Sequence, residues 1–121
     1  MGTLKNPFGI AVDQSSGLLY IADAGNSRVV VMDMAGVVVR TFGSQGSGPG
    51  QLSNPHGIAL DAQGNVLVAD LGNSRVVVFK SDGTPLTHFA IPMKTPAFVM
   101  VDSGSGSVLV SGDRECQVCL W

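Results

Sequence analysis

The chain has 121 residues, 45% of them apolar, which is enough for one domain with a hydrophobic core. Charged residues make up only 13%, the net charge is −2, and the seven Lys and Arg residues are scattered. This composition argues against a protein that coats nucleic acid, because phosphate contacts need clustered positive charge. No signal-peptide pattern opens the sequence and no apolar run is long enough to cross a membrane, so we expect no membrane contact and a cytoplasmic location.

A short lead-in precedes a first unit that runs from about residue 6 to residue 43. Four short apolar runs, rich in β-branched residues, lie within it at about residues 9–12, 18–22, 28–32 and 37–42. Clusters of Gly, Asn and Asp separate the runs, which is typical of antiparallel strands joined by tight turns. The first unit is therefore predicted to be a four-stranded meander with no helix longer than one turn.

The same pattern returns twice along the chain. A Gly/Ser/Pro connector leads into a second unit at about residues 54–91, and a third unit at about 95–121 supplies three strands but no fourth. Pro7, Pro55 and Pro96 mark the same point in each unit, at spacings of 48 and 41 residues. Repeats of this length with about four strands each indicate β-propeller blades. We predict one all-β domain of three four-stranded antiparallel blades, the last one incomplete, with eleven strands.

The third strand of each of the first two units is apolar on both faces. Residues 29–31 and 76–78 are all valine, with no polar alternation. An antiparallel sheet with one wet face should alternate, whereas a sheet covered on both sides need not. This pattern favours blades stacked face to face.

Two motifs occur in both of the first two units. Asn-Pro-x-Gly-Ile-Ala-x-Asp begins at Asn6 and Asn54, and Ala-Asp-x-Gly-Asn-Ser-Arg spans Ala22–Arg28 and Ala69–Arg75. The connector between the units contains Thr-Phe-Gly and Gly-Gln-Leu at residues 41–43 and 50–52. On these residues the chain resembles the NHL repeat, the unit of a family of six-bladed propellers. The third unit resembles it more weakly, because residues 113–117 replace the Gly-Asn-Ser-Arg turn.

The resemblance implies a binding or scaffold module and not an enzyme. In this family the loops between the second and third strands lie on the top face, which binds proteins or peptides, and in some tripartite-motif ubiquitin ligases RNA. The candidate binding residues are Phe8, Arg28, His56, Arg75 and Ala97. Three blades are half of a six-bladed ring, so we also expect two chains to associate and complete it.

Arg28 and Arg75 have two interpretations, because each ends the same Gly-Asn-Ser-Arg turn. They could contact a ligand on the top face. They could instead bond a neighbouring carbonyl or aspartate and hold the blades together, as residues fixed by a repeat usually do.

His56 raises the question of a metal site. The Pro-Gly-Gln-Leu-x-x-Pro-His segment is similar to the peptide-amidating lyases, propellers in which a histidine at this position binds zinc. Those enzymes use several such histidines, whereas the equivalent positions here are Phe8 and Ala97. We therefore expect no metal, unless a second chain contributes its own His56.

We expect no catalytic residues and no cofactor among the remaining residues. Cys116 and Cys119 are three apart on a predicted strand, so their side chains point to opposite faces and we expect them to pack as small hydrophobes. The aspartates that follow the strands, such as Asp13 and Asp61, are expected to form Asx-type turns. No helix follows the Gly/Ser segments, so they are not phosphate loops.

Overall fold

The computed structural model describes residues 3–92, 94–102, 104–112 and 118–120, and for residues 118–120 the backbone alone. Blade 1 consists of β1 (Pro7–Asp13), β2 (Leu18–Asp23), β3 (Arg28–Met32) and β4 (Val38–Phe42). The connector contains β5 (Ser44–Gln45) and β6 (Gln51–Leu52). Blade 2 consists of β7 (Pro55–Leu60), β8 (Val66–Asp70), β9 (Arg75–Phe79) and β10 (Pro85–Ala90). Blade 3 consists of β11 (Pro96–Val101), β12 (Val108–Gly112) and β13 (Val118–Leu120).

The all-β prediction is confirmed. Each blade is an antiparallel meander in sequence order, with four, four and three strands in the described residues. The described helical structure is two 3-10 turns of three residues each, Ala24–Asn26 and Leu71–Asn73. The sequence did not predict β5 and β6, which pair in parallel and carry no apolar run.

The hairpin turns depend on aspartate side chains, as the sequence predicted. Asp13 and Asp61 close the turns between the first two strands of blades 1 and 2 by accepting bonds from backbone N–H groups two residues on, at 3.1 and 2.9 Å. Gly64 then takes a φ of +82°, which favours glycine because it lacks a Cβ. These turns lie at the end of the blades opposite the 3-10 turns.

The hydrophobic core forms two layers, one between each pair of neighbouring blades. The first layer joins Tyr20 and Val31 of blade 1 to Val68 and Val77 of blade 2. The second joins Val76 and its neighbours to blade 3. Adjacent residues Val76 and Val77 therefore belong to different layers, which confirms that the valine-rich third strand of blade 2 is covered on both faces.

The innermost strands β1, β7 and β11 lie side by side at the centre of the three blades. A Cβ placed on Gly9 would lie 2.6 Å from the carbonyl oxygen of His56, and one on Gly57 would lie 2.5 Å from that of Ala97. Real Cβ atoms do not approach so closely, so glycine permits this contact between backbones.

The cysteine prediction lies largely outside this description. Cys116 lies outside the described residues, and Cys119 is known by its backbone, which pairs with Val110 in blade 3.

A candidate binding site on the top face

A cavity of about 380 Å³ opens on the top face where blades 1 and 2 meet. The residues before and at the start of β1 and β7 line it, together with the first residue of a 3-10 turn: Asn6, Pro7, Phe8, Ala24, Asn54 and His56. Because the two repeats superpose, the cavity presents the same short motif from two neighbouring blades. This repetition places two asparagines, Asn6 and Asn54, at the opening, whereas the position two residues later is Phe8 in blade 1 and His56 in blade 2.

Phe8 and His56 both line this cavity. Their rings stack with centroids 3.8 Å apart and planes inclined by 6°. His56 is 9% exposed, whereas Phe8 remains 56% exposed. The stack therefore fixes the Phe8 ring in place while leaving much of it open to contact.

Asn6 and Asn54 hold an uncommon backbone conformation beside the stack. Their φ angles are +51° and +54°, in the left-handed region that asparagine tolerates better than most residues. The Asn54 N–H donates to Ser27 Oγ of blade 1 at 3.3 Å. This bond ties the start of blade 2 to the turn of blade 1 and so fixes the width of the opening.

A buried carboxylate supports the site from below in each repeat. Asp70 is fully buried, and its carboxylate accepts bonds from Arg75 Nε at 3.0 Å, Asn73 Nδ2 at 2.8 Å and the Ser53 N–H at 2.7 Å. The first repeat has the same arrangement, with Asp23 accepting from Arg28, Asn26 and Lys5. The segment that precedes each innermost strand is thereby anchored to its own blade.

The ionisation of Asp23 follows from these contacts. Burial alone would raise its pKa, but hydrogen bonds from Asn26, from the Lys5 N–H and from Arg28 stabilise the charged form. The pKa of Asp23 therefore lies below its ordinary value.

The two arginines differ in how fully their guanidinium groups are used. Arg75 also donates to the carbonyl oxygens of Ser47 at 3.0 Å, Gly48 at 3.1 Å and Gln51 at 2.7 Å, all in the connector. Within the described residues Arg28 donates to Asp23 alone, and its side chain is 21% exposed against 7% for Arg75. Both arginines thus bond a neighbouring aspartate, and Arg75 also bonds connector carbonyls, which are the partners that the second interpretation named.

The structure brings together two of the five predicted binding residues. Phe8 and His56 share the cavity, whereas Ala97 is fully buried and offers no side-chain surface. The sequence analysis missed Asn6 and Asn54, although the repeated Asn-Pro pair was the available signal. Among the described residues no group of three or more His, Cys, Asp or Glu is placed to hold a metal ion.

A larger cavity of about 560 Å³ lies at the opposite end of the blades. It is lined by the turns after β1 and β7, including Asp13 and Asp61. Both carboxylates are already bonded within their own turns, so this cavity presents loop surface and fewer available groups. The top-face cavity is therefore the better candidate.

Comparison with known proteins finds a family match for two segments of the chain. Residues 4–32 and 52–79 match the profile of the NHL repeat. These segments cover blade 1 to the end of β3 and blade 2 to the end of β9. No helix in the described part of the chain is long and apolar enough to span a membrane.

Two curated relatives match the chain over about half of its length. The RING finger protein nhl-1 of Caenorhabditis elegans is 45% identical over 58 residues, which cover 48% of this chain and 6% of the relative. The peptidylglycine alpha-amidating monooxygenase of Rattus norvegicus is 39% identical over 59 residues, which cover 45% of this chain and 6% of the relative. The chain thus spans a small part of either relative.

A solved structure supports the fold over nearly the whole chain. The nidogen/laminin complex contains a chain that superposes with a TM-score of 0.78 and 23% identity, covering 97% of this chain and 43% of that one. At this identity the likeness concerns the fold alone.

Proposed function

We propose that this chain, in which two segments match the NHL repeat and fold as β-propeller blades, is a protein-binding module whose ligand is a peptide segment of a partner protein. The ligand contacts the top face at the cavity around Phe8 and His56. Blades with the same fold occur in a structure solved as a nidogen/laminin complex, so the fold is compatible with binding a protein. We also propose the cytoplasmic location expected from the sequence, which microscopy of the tagged protein tests.

The stacked Phe8–His56 pair is the observation that carries this proposal. A large apolar ring held rigid and 56% exposed is suited to a contact surface, since aromatic anchors dominate many protein interfaces. The side chains of Asn6 and Asn54 can each donate and accept, which matches the alternating groups of a peptide backbone. Arg28, with donors beyond those that Asp23 uses, adds a site for an acidic side chain or a carbonyl.

Self-association of two chains is the second part of the proposal. Ile10 and Val12 of blade 1 are 58% and 45% exposed, and Phe98 and Met100 of blade 3 are 54% and 64% exposed. Apolar groups in such positions are normally covered by a neighbouring blade. A second chain arranged head to tail would cover both faces and give a six-bladed ring.

The binding proposal is tested by selection from a phage library of random linear peptides. Peptides retained by the wild-type protein should be lost with Phe8→Ala and kept with Leu86→Ala, which removes a 46% exposed apolar side chain from the outer strand β10. Loss with Leu86→Ala alone would place the site on the rim. Binding of labelled random RNA without peptide enrichment would favour the RNA-binding alternative.

An amidating-lyase-like enzyme is a second candidate, favoured by the 39% identity to the rat monooxygenase. His56 lines the cavity, but the equivalent positions in blades 1 and 3 carry Phe8 and Ala97, so zinc would need His56 from a second chain. Elemental analysis of the purified protein decides between the candidates. Zinc at one equivalent per two chains, lost with His56→Ala, would establish a metal site and count against the binding module.

A further inference from the structure

The inner strand of blade 3 differs from those of blades 1 and 2 at two positions that face outward. The strand registers align the three blades, because Ile10, Ile58 and Val99 pair with Ile21, Val68 and Val110. The preceding residue is glycine in blade 1, glycine in blade 2 and phenylalanine in blade 3: Gly9, Gly57 and Phe98. The residue that follows Ile10, Ile58 or Val99 is alanine in blades 1 and 2 and methionine in blade 3: Ala11, Ala59 and Met100.

The small residues are required where one blade packs on the next. Gly9 and Gly57 lie so close to the following inner strand that a Cβ would meet its backbone at 2.6 and 2.5 Å. Ala11 and Ala59 pack against the core layers that join the same blades. At both junctions within the chain, a glycine and an alanine therefore let the inner strands of neighbouring blades come close together.

In blade 3 the same two positions are occupied by large residues, Phe98 and Met100. Phe98 and Met100 are on the face turned away from blade 2, since the intervening Val99 belongs to the layer shared with blade 2. They are 54% and 64% exposed. An inner strand approaching blade 3 as β7 approaches β1 would overlap the Phe98 side chain.

The face of blade 1 that is turned away from blade 2, called its outer face here, has apolar residues at positions that are buried or partly buried in blade 2. Ile58, on the face of blade 2 turned to blade 1, is 7% exposed, whereas its equivalent Ile10 is 58% exposed. Val12 corresponds to Leu60, which packs against the first core layer. This face is therefore of the kind that receives the inner strand of another blade. On the face of blade 1 turned away from blade 2, and on the face of blade 3 turned away from blade 2, the side chains of the inner strands are uncharged. Bringing these two faces together therefore buries no charged inner-strand side chain.

We propose that Phe98 and Met100 act as a spacer that packs against Ile10 and Val12 of a second copy of this chain. The junction continues the packing of the two internal junctions, but side chains rather than backbones meet at its inner edge, so β11 and the partner's β1 stand further apart. This inference rests on the self-association proposed above. It adds which residues determine that contact and how it differs from the junctions within the chain.

The test is a double-mutant cycle read by sedimentation equilibrium. Phe98→Ala with Met100→Ala should raise the dimer dissociation constant at least about tenfold, and Ile10→Ala with Val12→Ala should do the same. Combining all four should raise it by much less than the product, because the pairs contact each other. Phe98→Met, which keeps an apolar side chain of similar length, should retain the dimer, and Leu86→Ala on β10 is the matched control.

Each outcome decides the proposal. Tighter association of the Phe98→Ala, Met100→Ala variant would show that the two residues hinder the contact, and the spacer would be wrong. Independent effects of the two pairs, or an effect of the blade 3 pair alone, would mean that the two faces do not meet. A strictly monomeric wild-type protein would overturn self-association itself, whereas a dimer insensitive to Phe98 would overturn only the spacer.

Discussion

Asp23 and Asp70 are the residues on which the geometry of the top face depends. Each is fully buried, and the carboxylate of each accepts hydrogen bonds from an arginine, an asparagine and a backbone N–H. A buried carboxylate without such partners would cost several kcal/mol, so the cluster forms as a unit. The same unit holds the chain that leads into the cavity.

Arg75 should contribute more to stability than Arg28. Arg75→Ala leaves the buried Asp70 carboxylate without its arginine and removes the hydrogen-bond donor of three connector carbonyls. We therefore expect a loss of about 3 kcal/mol in the free energy of unfolding. Arg28→Ala breaks a more exposed contact with Asp23 and should cost about 1 kcal/mol. Urea unfolding of both variants measures the difference. Equal losses would mean that the connector bonds contribute nothing.

Asp23 should make the fold sensitive to acid. Its folded pKa lies below the ordinary value of 3.8, so its contribution to stability is present above that pH and is lost as the pH falls through the folded pKa. Asp23→Asn should be less stable than the wild type at pH 6, and this difference should shrink below pH 3.8. Hydrogen bonds in turns also lower the pKa of Asp13, Asp82 and Asp102, so these groups contribute to the acid sensitivity of both proteins. The difference in stability between the wild type and Asp23→Asn therefore reports on Asp23. A difference that stays constant down to pH 2 would contradict this explanation.

At this scale the sequence predicted the turn aspartates but not the buried ones. Asp13 and Asp23 both follow an apolar run, and the sequence pattern does not distinguish an exposed turn from a buried pair. The distinguishing signal was the arginine five residues after Asp23 and after Asp70. Its meaning depends on a turn that reverses the chain, and such a turn is known only once the strands have been placed.

The distance between the innermost strands of neighbouring blades depends on glycines in those strands. Gly9 and Gly57 have ordinary strand conformations, so neither is needed for a turn. They are needed because another backbone passes at contact distance. The connector follows the same logic, since Gly46 and Gly48 leave room for the Gln51 side chain, which accepts a bond from the Gly48 N–H.

Gly57→Ala should therefore destabilise the protein without altering its secondary structure. The added methyl would lie 2.5 Å from the Ala97 carbonyl oxygen and 2.8 Å from Phe98 Cα, and overpacking of this kind costs about 1–3 kcal/mol. Gly104→Ala is the matched control, because its nearest neighbour is an Asp102 oxygen at 3.8 Å and its φ is not positive. Thermal unfolding measures both variants. A Gly57→Ala protein as stable as the control would show that blades 2 and 3 can separate freely.

Strand positions were the most predictable feature at the scale of elements. The predicted third strand of blade 1 coincides with β3, and the other strands of that blade differ by at most two residues at either end. Apolar periodicity reports such runs directly. The parallel pair of β5 and β6 has no such signal, because two-residue strands in a Gly/Ser segment are made by the contacts of their neighbours.

At the scale of the whole molecule, the sequence predicted the number of blades and their order but not the character of the outer faces. Counting repeats shows that the end blades lack a neighbour on one side. It does not show that blade 3 presents Phe98 and Met100 where glycine and alanine stand elsewhere, because the meaning of those positions comes from the close approach at Gly9 and Gly57. The candidate site was likewise half predicted, with Phe8 and His56 found and the asparagines missed.

The stacking of blades predicts how stability is distributed along the chain. Blade 2 is covered on both faces, and Val66, Val68, Val76 and Val77 are at most 1% exposed. Repeat proteins are stabilised by contacts between neighbouring repeats, so the middle blade should open least often. Amide hydrogen exchange should therefore be slowest in β8 and β9 and faster in β1 and β11.

This gradient should depend on protein concentration if two chains associate as proposed. Raising the concentration above the dimer dissociation constant should slow exchange in β1 and β11, whose outward side chains would become covered, and leave β8 and β9 unchanged except through the global stability. The Phe98→Ala, Met100→Ala variant is the control, because its exchange should not respond over the same range. Slowing confined to the outer strand β10 would instead indicate association at the rim of the blades, through an edge that remains open to strand pairing.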